Sequence, residues 1–374
     1  MSYFVYITAF ILALINGFSK KKSRVITIIF LVLMLLMFCE VTTPNYHHQG
    51  YFRGDNEVYE QMYKSLSGSN FDYVKQSSTF EKGFVVYSYI FATLGVPYNI
   101  FMAITFLIGM LLCFFTVRRI TDNYSLFLVL YFCYYFLYDI QQIRNFIAIS
   151  ISIFALRFLK DRHVVIYILL ILLASMFHFS ALAFLPFLLI YLPNYKYFAK
   201  LFIELSAILF AGLSILNLTG NNVIKQLARV INLGSYNLYV GDNFNALRPF
   251  IELVLFAYLA ILVYTVTIEE QDNEWASFTI SITAVSFLFL PLMLISMTMD
   301  RILRPLLILD YAVISNSYSF IDKDNLIIYG TRKNLYIIGL FVVIGIMTYF
   351  YSKNLFAWIF DSNHFIYWLD SLMG

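Results

Sequence analysis

The sequence predicts an all-α polytopic membrane protein with about twelve transmembrane helices, roughly 10 to 14. Three observations predict it. Hydrophobic residues make up 61% of the 374 positions and charged residues only 13%, about half the roughly 25% charge of a soluble domain. Mean hydropathy is +0.77. Apolar runs near the length that crosses a hydrocarbon core, about 20 helical residues, recur along the chain. A soluble cytoplasmic enzyme and a disordered protein are thereby excluded. The net charge of +3 is too balanced for a nucleic-acid partner, and no basic run is interleaved with aromatics that would stack on bases.

In chain order the spans fall near 2–18, 25–43, 98–117, 124–140, 143–159, 164–177, 179–193, 201–217, 249–268, 276–298, 303–320 and 335–352. The first is apolar from Tyr3 onward, and Lys20, Lys21, Lys22 and Arg24 follow it. That order suits a retained anchor rather than a cleaved signal peptide. The long run Val164 to Leu192 holds two short helices, with His178 and Pro186 as its interruptions. No repeat or linker divides the chain, so 1–374 reads as a single integral membrane domain. Cys39, Cys113 and Cys133 lie in apolar stretches, odd in number and without a CxxC pair. Neither a disulfide framework nor a cysteine metal site is expected.

Basic residues of short loops mark the cytoplasmic face. Lys20 to Arg24, Arg118 with Arg119, Lys160 with Arg162, Lys196 with Lys200, and Lys323 with Arg332 and Lys333 fall on one side. Both termini then lie outside. The loop 269–275 should also be inside, although it holds no Lys or Arg. Residues 83–97 are apolar but short, and a span there would put Arg118 and Arg119 outside. They read instead as an amphipathic segment on the outer membrane surface. The result is a long first external loop, 44–97, carrying amphipathic helices, and a second loop, 218–248. The C-terminal segment 353–374, with Trp358 and Trp368, reads as outer and interfacial.

Charged groups at membrane depth are costly and mark function. Topology accounts for the cytoplasmic cations but not for Arg53, Arg144, Arg248, Arg301 and Arg304 on the outer side. A guanidinium grips phosphate with a bidentate fork, so these five point to an anionic head group, most simply a lipid-linked diphosphate. Snorkelling at helix ends is the plainer alternative. In Gln141-Gln142-Ile143-Arg144-Asn145, Arg144 opens a helix, where a cation opposes the dipole. A bound phosphate would gain from both the arginine and the free helix N–H groups; Asp139 is the alternative partner. In Asp300-Arg301-Ile302-Leu303-Arg304-Pro305 the arginines are three apart and share a face, with Asp300 placed to orient one. A salt-bridged turn would look the same.

His178, in MFHFSAL, is a general-base candidate for a sugar hydroxyl; a structural hydrogen bond is the alternative. In YFRGDNEVYEQMY, Asp55 follows a glycine turn, and Tyr59 and Tyr63 share a helical face. A carboxylate with aromatic rings suits carbohydrate, as does a solvated, capped loop helix. Glu81, in TFEKGF, adds a second carboxylate able to act as base. Asp310, in mid-span, reads as a structural partner rather than a proton path. No HxxxH or HExxH motif supports a metal.

Together these pieces resemble the EpsG family of bacterial polysaccharide polymerases, related in role to Wzy-type O-antigen polymerases. The order that carries the resemblance begins with a basic loop after the first span. Arg53-Gly54-Asp55 with Tyr59 follows, then Glu81 with Gly83 and Phe84, then Arg144-Asn145-Phe146-Ile147-Ala148, and then His178-Phe179-Ser180-Ala181-Leu182. Arg301 and Arg304 are compatible with a later outer arginine pair. The resemblance runs over roughly residues 1 to 310, departing at Asn56 and in the missing threonine of the family's GTD element.

The resemblance implies a glycosyltransferase of the C-type membrane architecture in a bacterial cytoplasmic (inner) membrane, with its active site facing the exterior. The growing glycan would leave undecaprenyl diphosphate and join the non-reducing end of an incoming lipid-linked repeat unit. No cofactor and no metal is implied, and a chain-length-regulating partner is an expected companion. On this reading Asp55, His178 and Arg144 are catalytic. Arg53, Tyr59, Glu81, Gln141, Asn145, Arg248, Asp300, Arg301 and Arg304 contact substrate. Three rivals remain. A lipid-linked-oligosaccharide flippase would show an internal repeat. An O-antigen ligase would share the donor. A membrane O-acyltransferase would leave the outer arginines unexplained.

Overall fold

A computed structural model describes residues 3–19, 21–42, 55–66, 80–218, 247–295 and 300–317, with isolated positions at 339, 341, 342 and 345. The expected span 335–352, the C-terminal segment 353–374 and most of loop 218–248 lie outside the described residues. Every regular element among the described residues is helical. Helices satisfy their own backbone groups, which a bilayer interior requires. Three are long and apolar enough to cross a membrane: Tyr98–Val117, Tyr195–Ile215 and Glu252–Glu269. Several apolar helices are shorter.

The chain forms two units, 1–182 with 315–374, and 183–314. In the first unit the helices are α1 (Tyr3–Phe18), α2 (Arg24–Thr42), α3 (Asp55–Leu66), α4 (Lys82–Thr93), α5 (Tyr98–Val117), α6 (Tyr124–Tyr134), α7 (Phe136–Gln141), α8 (Ile143–Lys160) and α9 (Val164–Ser175). A 3₁₀ helix, Phe179–Tyr191, follows, its residues from 183 on belonging to the second unit. The expected break near His178 is therefore present, and the second short element is 3₁₀ rather than α. The expected span 124–140 is interrupted at Tyr135, between α6 and α7.

Helices α5 and α8 pack at Gly109, where an added Cβ would sit 2.3 Å from the Phe146 ring. Phe106 stacks on Phe38 at 4.3 Å and on Phe146 at 5.3 Å. Thr116 donates to the Ile153 carbonyl at 3.1 Å. Ile147, Ala148 and Ile151 of α8 pack with Ala174 and Ala181. One end of this bundle holds a polar junction. The Asn16 amide accepts from the Ser23 N–H at 2.7 Å and donates to Ser125 Oγ at 2.6 Å. Asn123 caps α6 and donates to the Gly17 carbonyl at 2.8 Å. Arg119 pairs with Asp161 at 2.7 Å. Arg144 and Lys160, at the two ends of α8, are separated by roughly 24 Å of helix axis, at about 1.5 Å per residue.

In the second unit, α10 (Tyr195–Leu218) starts six residues before the span read at 201. Helices α11 (Leu247–Glu269) and α12 (Glu274–Ser286) form a hairpin. Asn273 caps α12 by accepting from the Ala276 N–H at 2.9 Å. The run read as one span, 276–298, breaks after Ser286 into a 3₁₀ turn, Phe287–Phe289, and a short α13, Leu292–Ile295. Proline at 291 has no N–H to continue the ladder. Helix α14 (Asp300–Leu303), a 3₁₀ turn (Arg304–Leu306) and α15 (Leu307–Ser317) follow.

Candidate functional site

Three sequence motifs far apart in the chain meet at the end of the first unit where α8 begins. Arg144 is the second residue of α8, and its guanidinium pairs with the Glu81 carboxylate just before α4. The other Glu81 oxygen accepts the Phe179 N–H at 3.1 Å. That N–H opens the 3₁₀ helix and has no partner within it. One carboxylate thus sits near two helix N-termini and beside a cation that would otherwise oppose the α8 dipole. Both placements are favourable, since anions are stabilised at N-termini. Hydrogen bonds to ionised groups are about twice as strong as neutral ones.

Gly83 locks this contact. Its N–H donates to the Met176 carbonyl at 2.9 Å. A Cβ there would lie 2.6 Å from both the Met176 oxygen and its Cβ. Only glycine lets α4 begin so close to the end of α9. Below the pair lies an aromatic floor. The Arg144 guanidinium is 4.8 Å from the Phe80 ring centre and 5.9 Å from that of Tyr59. Tyr59 packs on Phe80 at 5.4 Å and on Phe84 at 5.6 Å. A cation over such faces gains about 0.5–2 kcal/mol. The Arg144 Nε is buried without a hydrogen-bond partner.

Asp55 opens α3, where a carboxylate suits the helix dipole, and accepts from the Tyr59 hydroxyl at 3.2 Å. The same helix is anchored behind by Tyr63, which stacks on Phe101 at 4.7 Å and donates to the Val96 carbonyl at 2.7 Å. Burial pushes the Tyr63 phenol up to about 12, so it stays a donor at neutral pH. Asn56 is buried; its side-chain amide donates to the Ile140 carbonyl at 3.3 Å, and its backbone carbonyl accepts from the Tyr98 hydroxyl at 3.2 Å. The first of these bonds joins α3 to the α7 end that carries Gln141, and the second joins it to α5.

His178 is 3% exposed and Asn145 5%. Ser180 Oγ lies 2.7 Å from His178 Nδ1 and donates to Asn145 Oδ1 at 3.0 Å. His178 is held in the turn between α9 and the 3₁₀ helix, where its N–H donates to the Ala174 carbonyl at 3.1 Å.

Asp55, Tyr59, Glu81, Arg144, Asn145 and His178 are thus linked through one network, and half-exposed Gln141 closes the helix that precedes it. Asp139, the alternative partner read for Arg144, instead accepts a hydrogen bond from the Tyr131 hydroxyl in the core. Gln142 breaks the helix between them at φ −123 and ψ 52, so positions 139 and 144 do not share a helical face. Arg53 lies outside the described residues. The side chains of Arg248, in the first turn of α11, and of Asp300, at the start of α14, also lie outside them. Arg301 is half-buried and Arg304 is buried. Arg304 opens the 3₁₀ turn at Pro305 rather than continuing a helical face with Arg301. Both belong to the second unit, as do the buried acids Glu252 and Asp310.

Sequence reasoning missed Phe80, Ser180 and the Phe179 N–H as parts of the site. Phe80 and Ser180 each lie within two residues of a residue that was singled out. Among the described residues, no group of three or more His, Cys, Asp or Glu is arranged to hold a metal ion.

No curated protein matches the chain, and no solved structure does. A family profile does match, over residues 50–367. That span takes in every motif that meets at Arg144, and the chain belongs to the EpsG family.

Proposed function

We propose that this chain is a polysaccharide polymerase acting at the outer leaflet of a bacterial cytoplasmic membrane. Membership of the EpsG family points to a polysaccharide-polymerase-type membrane protein. The donor is a glycan on undecaprenyl diphosphate. The acceptor is the non-reducing end of an incoming lipid-linked repeat unit. The observation that carries this reading is the meeting of Glu81, Arg144 and the His178 turn around one partly buried guanidinium.

In the reaction the acceptor hydroxyl oxygen bonds the anomeric carbon, and the bond from that carbon to the diphosphate breaks. The diphosphate leaves with the electron pair. Arg144 neutralises the charge that develops there, the role of a fixed cation at a transition state. Its unpartnered Nε supplies a donor to phosphate, and Glu81 holds the guanidinium in place until the lipid arrives. His178 or Asp55 takes the acceptor proton. Tyr59, Gln141 and Asn145 line the sugar side, and Arg53 contributes a further contact to the anionic lipid. The reaction uses no metal and no cofactor. The remaining apolar segments bring the spans to about twelve, in a C-type glycosyltransferase architecture. The basic turns at the far end of α8 face the cytoplasm by the positive-inside rule. A chain-length regulator is the expected protein partner.

The test is reconstitution of the purified chain in vesicles with a synthetic undecaprenyl-diphosphate repeat unit and a chelator, resolved as a ladder. Multiples of the repeat with released undecaprenyl diphosphate are expected. Movement of the intact lipid-linked unit across the vesicle without a ladder would overturn the enzyme reading in favour of a flippase.

A further inference from the structure

The end of α8 far from Arg144 carries a second group of cations that the reaction scheme leaves unused. Arg157 lies in the last turn of α8, and Arg118 caps α5. Arg157 is about 20 Å from Arg144 along the helix axis, at about 1.5 Å per residue. The Arg118 guanidinium lies 5.0 Å from the Phe115 ring centre, and that of Arg157 lies 5.1 Å from the Phe154 ring centre. Each arginine is three residues beyond its ring, on the same helical face. The two rings meet edge to face at 6.2 Å, so both cations stand over one aromatic ledge.

Their charge is not balanced within the protein. Among the described residues, no carboxylate makes an ion pair with Arg118 or Arg157. Asp161, the acid that attracts Arg157, is held by Arg119 at 2.7 Å. Asp122, the other acid at this end, acts on Lys22 and Tyr124. Arg118 and Arg119 both act on Arg157 as repelling charges. The Arg157 Nε is buried without a hydrogen-bond partner, while Arg118 is exposed. Beside the ledge, α5 turns an apolar stripe outward. Leu107, Leu111 and Phe115 follow one another at a spacing of four and are 43%, 55% and 38% exposed. Snorkelling brings a single cation to a bilayer surface. It does not account for two that lack ion-pair partners and are gathered over rings in contact.

We propose that Arg118 and Arg157 bind the phosphate of an anionic phospholipid, with an acyl chain along Leu111 and Leu107. Guanidinium groups take phosphate oxygens through parallel N–H bonds, and basic pockets between membrane helices hold anionic head groups. The phosphate supplies the counter-charge that this end of α5 and α8 lacks. The apolar stripe, continuous with the cations, favours a lipid over a soluble phosphate. The site lies on the same helix pair that carries Arg144 at its other end, and it is independent of the reaction proposed above.

The test titrates the full chain in detergent micelles with phosphatidylglycerol, or with phosphatidylcholine of the same acyl chains, and counts the first bound lipid by native mass spectrometry. The wild type should prefer phosphatidylglycerol. Arg118→Gln, on an exposed side chain, should weaken that binding by about fivefold, and Arg118→Gln with Arg157→Gln by about 20-fold, with phosphatidylcholine unaffected. Phe115→Ala keeps both charges and should still weaken it by about threefold, because the ledge under Arg118 is gone. Lys21→Gln removes an equal charge from the neighbouring turn and should change it by less than about twofold at 0.15 M salt. Equal losses in Lys21→Gln and Arg118→Gln would reduce the site to diffuse surface charge and overturn the proposal. Unchanged binding in Arg118→Gln overturns it without recourse to the double variant. Displacement of phosphatidylglycerol by millimolar inorganic phosphate would make this a soluble-anion site, and displacement by undecaprenyl diphosphate at equal concentration would make it a substrate site. Either result overturns the phospholipid assignment.

Discussion

The carboxylate of Glu81 pairs with the guanidinium of Arg144 across 63 residues of sequence, and the cation so held lies over the rings of Phe80 and Tyr59. The pair is part-buried, with the two side chains 16% and 23% exposed. Such a pair is strong through its geometry and its hydrogen bonds, because desolvating two charges offsets much of their attraction.

Arg144→Ala should lower polymer formation by about 10²-fold or more, the loss seen when one donor to a developing charge is removed. Arg144→Lys should lie between, since an ammonium keeps the charge but not the planar fork. Repeat-unit ladders at saturating donor measure both. Unchanged polymer in Arg144→Ala would remove the diphosphate role.

Glu81→Ala strands the Arg144 cation and the Phe179 N–H together. A destabilisation of about 2 kcal/mol is expected, toward the lower end for a partly exposed charged pair. Glu81→Gln should be milder, because its amide oxygen still accepts from Phe179. Unfolding midpoints in mixed micelles report both, and equal midpoints for the two variants would count against the bridging role of the carboxylate.

Gly83→Ala should damage the site more than its size suggests. The new methyl meets the Met176 backbone, which cannot swing aside as a flexible side-chain tip can. Overpacking of this kind costs about 1–3 kcal/mol. Because Met176 leads into His178, activity should fall further than stability. Parallel ladder and unfolding measurements would show the two losses diverging, whereas wild-type activity would refute the close packing.

Orientation is open to cysteine labelling in a variant with Cys39, Cys113 and Cys133 replaced by Ala. Lys82→Cys, at the start of α4, should react with an impermeant reagent from outside the cell. Asp161→Cys, beyond the end of α8, should react only after the membrane is opened. Both positions are exposed. Reaction of both from one side would reverse the topology.

Much of the helical pattern was legible because apolar runs ended on charge or a capping residue. Arg118 and Arg119 close α5, Asn123 opens α6, and Lys160 closes α8. The break at Tyr135 was not legible. Tyr134, Tyr135 and Phe136 are all large aromatics, with no Gly or Pro between them, and their tertiary packing rather than local preference sets the interruption. The break after Ser286 had Pro291 as its one signal. The residues of the site were visible singly, each beside a charge or a turn. Their meeting was not, because periodicity carries no information about contacts 63 or 98 residues apart. Asp139 shows the same limit. Counting along a helix made it a neighbour of Arg144, and a bent Gln142 removed the helix being counted on.

The bridge made by Glu81 also has an order in time. Its two partners are translated 63 and 98 residues after it. At about 5–20 residues per second, roughly 5–20 s pass between synthesis of residue 81 and synthesis of Phe179. Through that interval the carboxylate has to be kept near water or lipid head groups while α5 to α9 are threaded past it. The site therefore closes late in biogenesis, and a chain truncated by the ribosome before the His178 turn would carry the Glu81–Arg144 pair without the segment it is meant to hold.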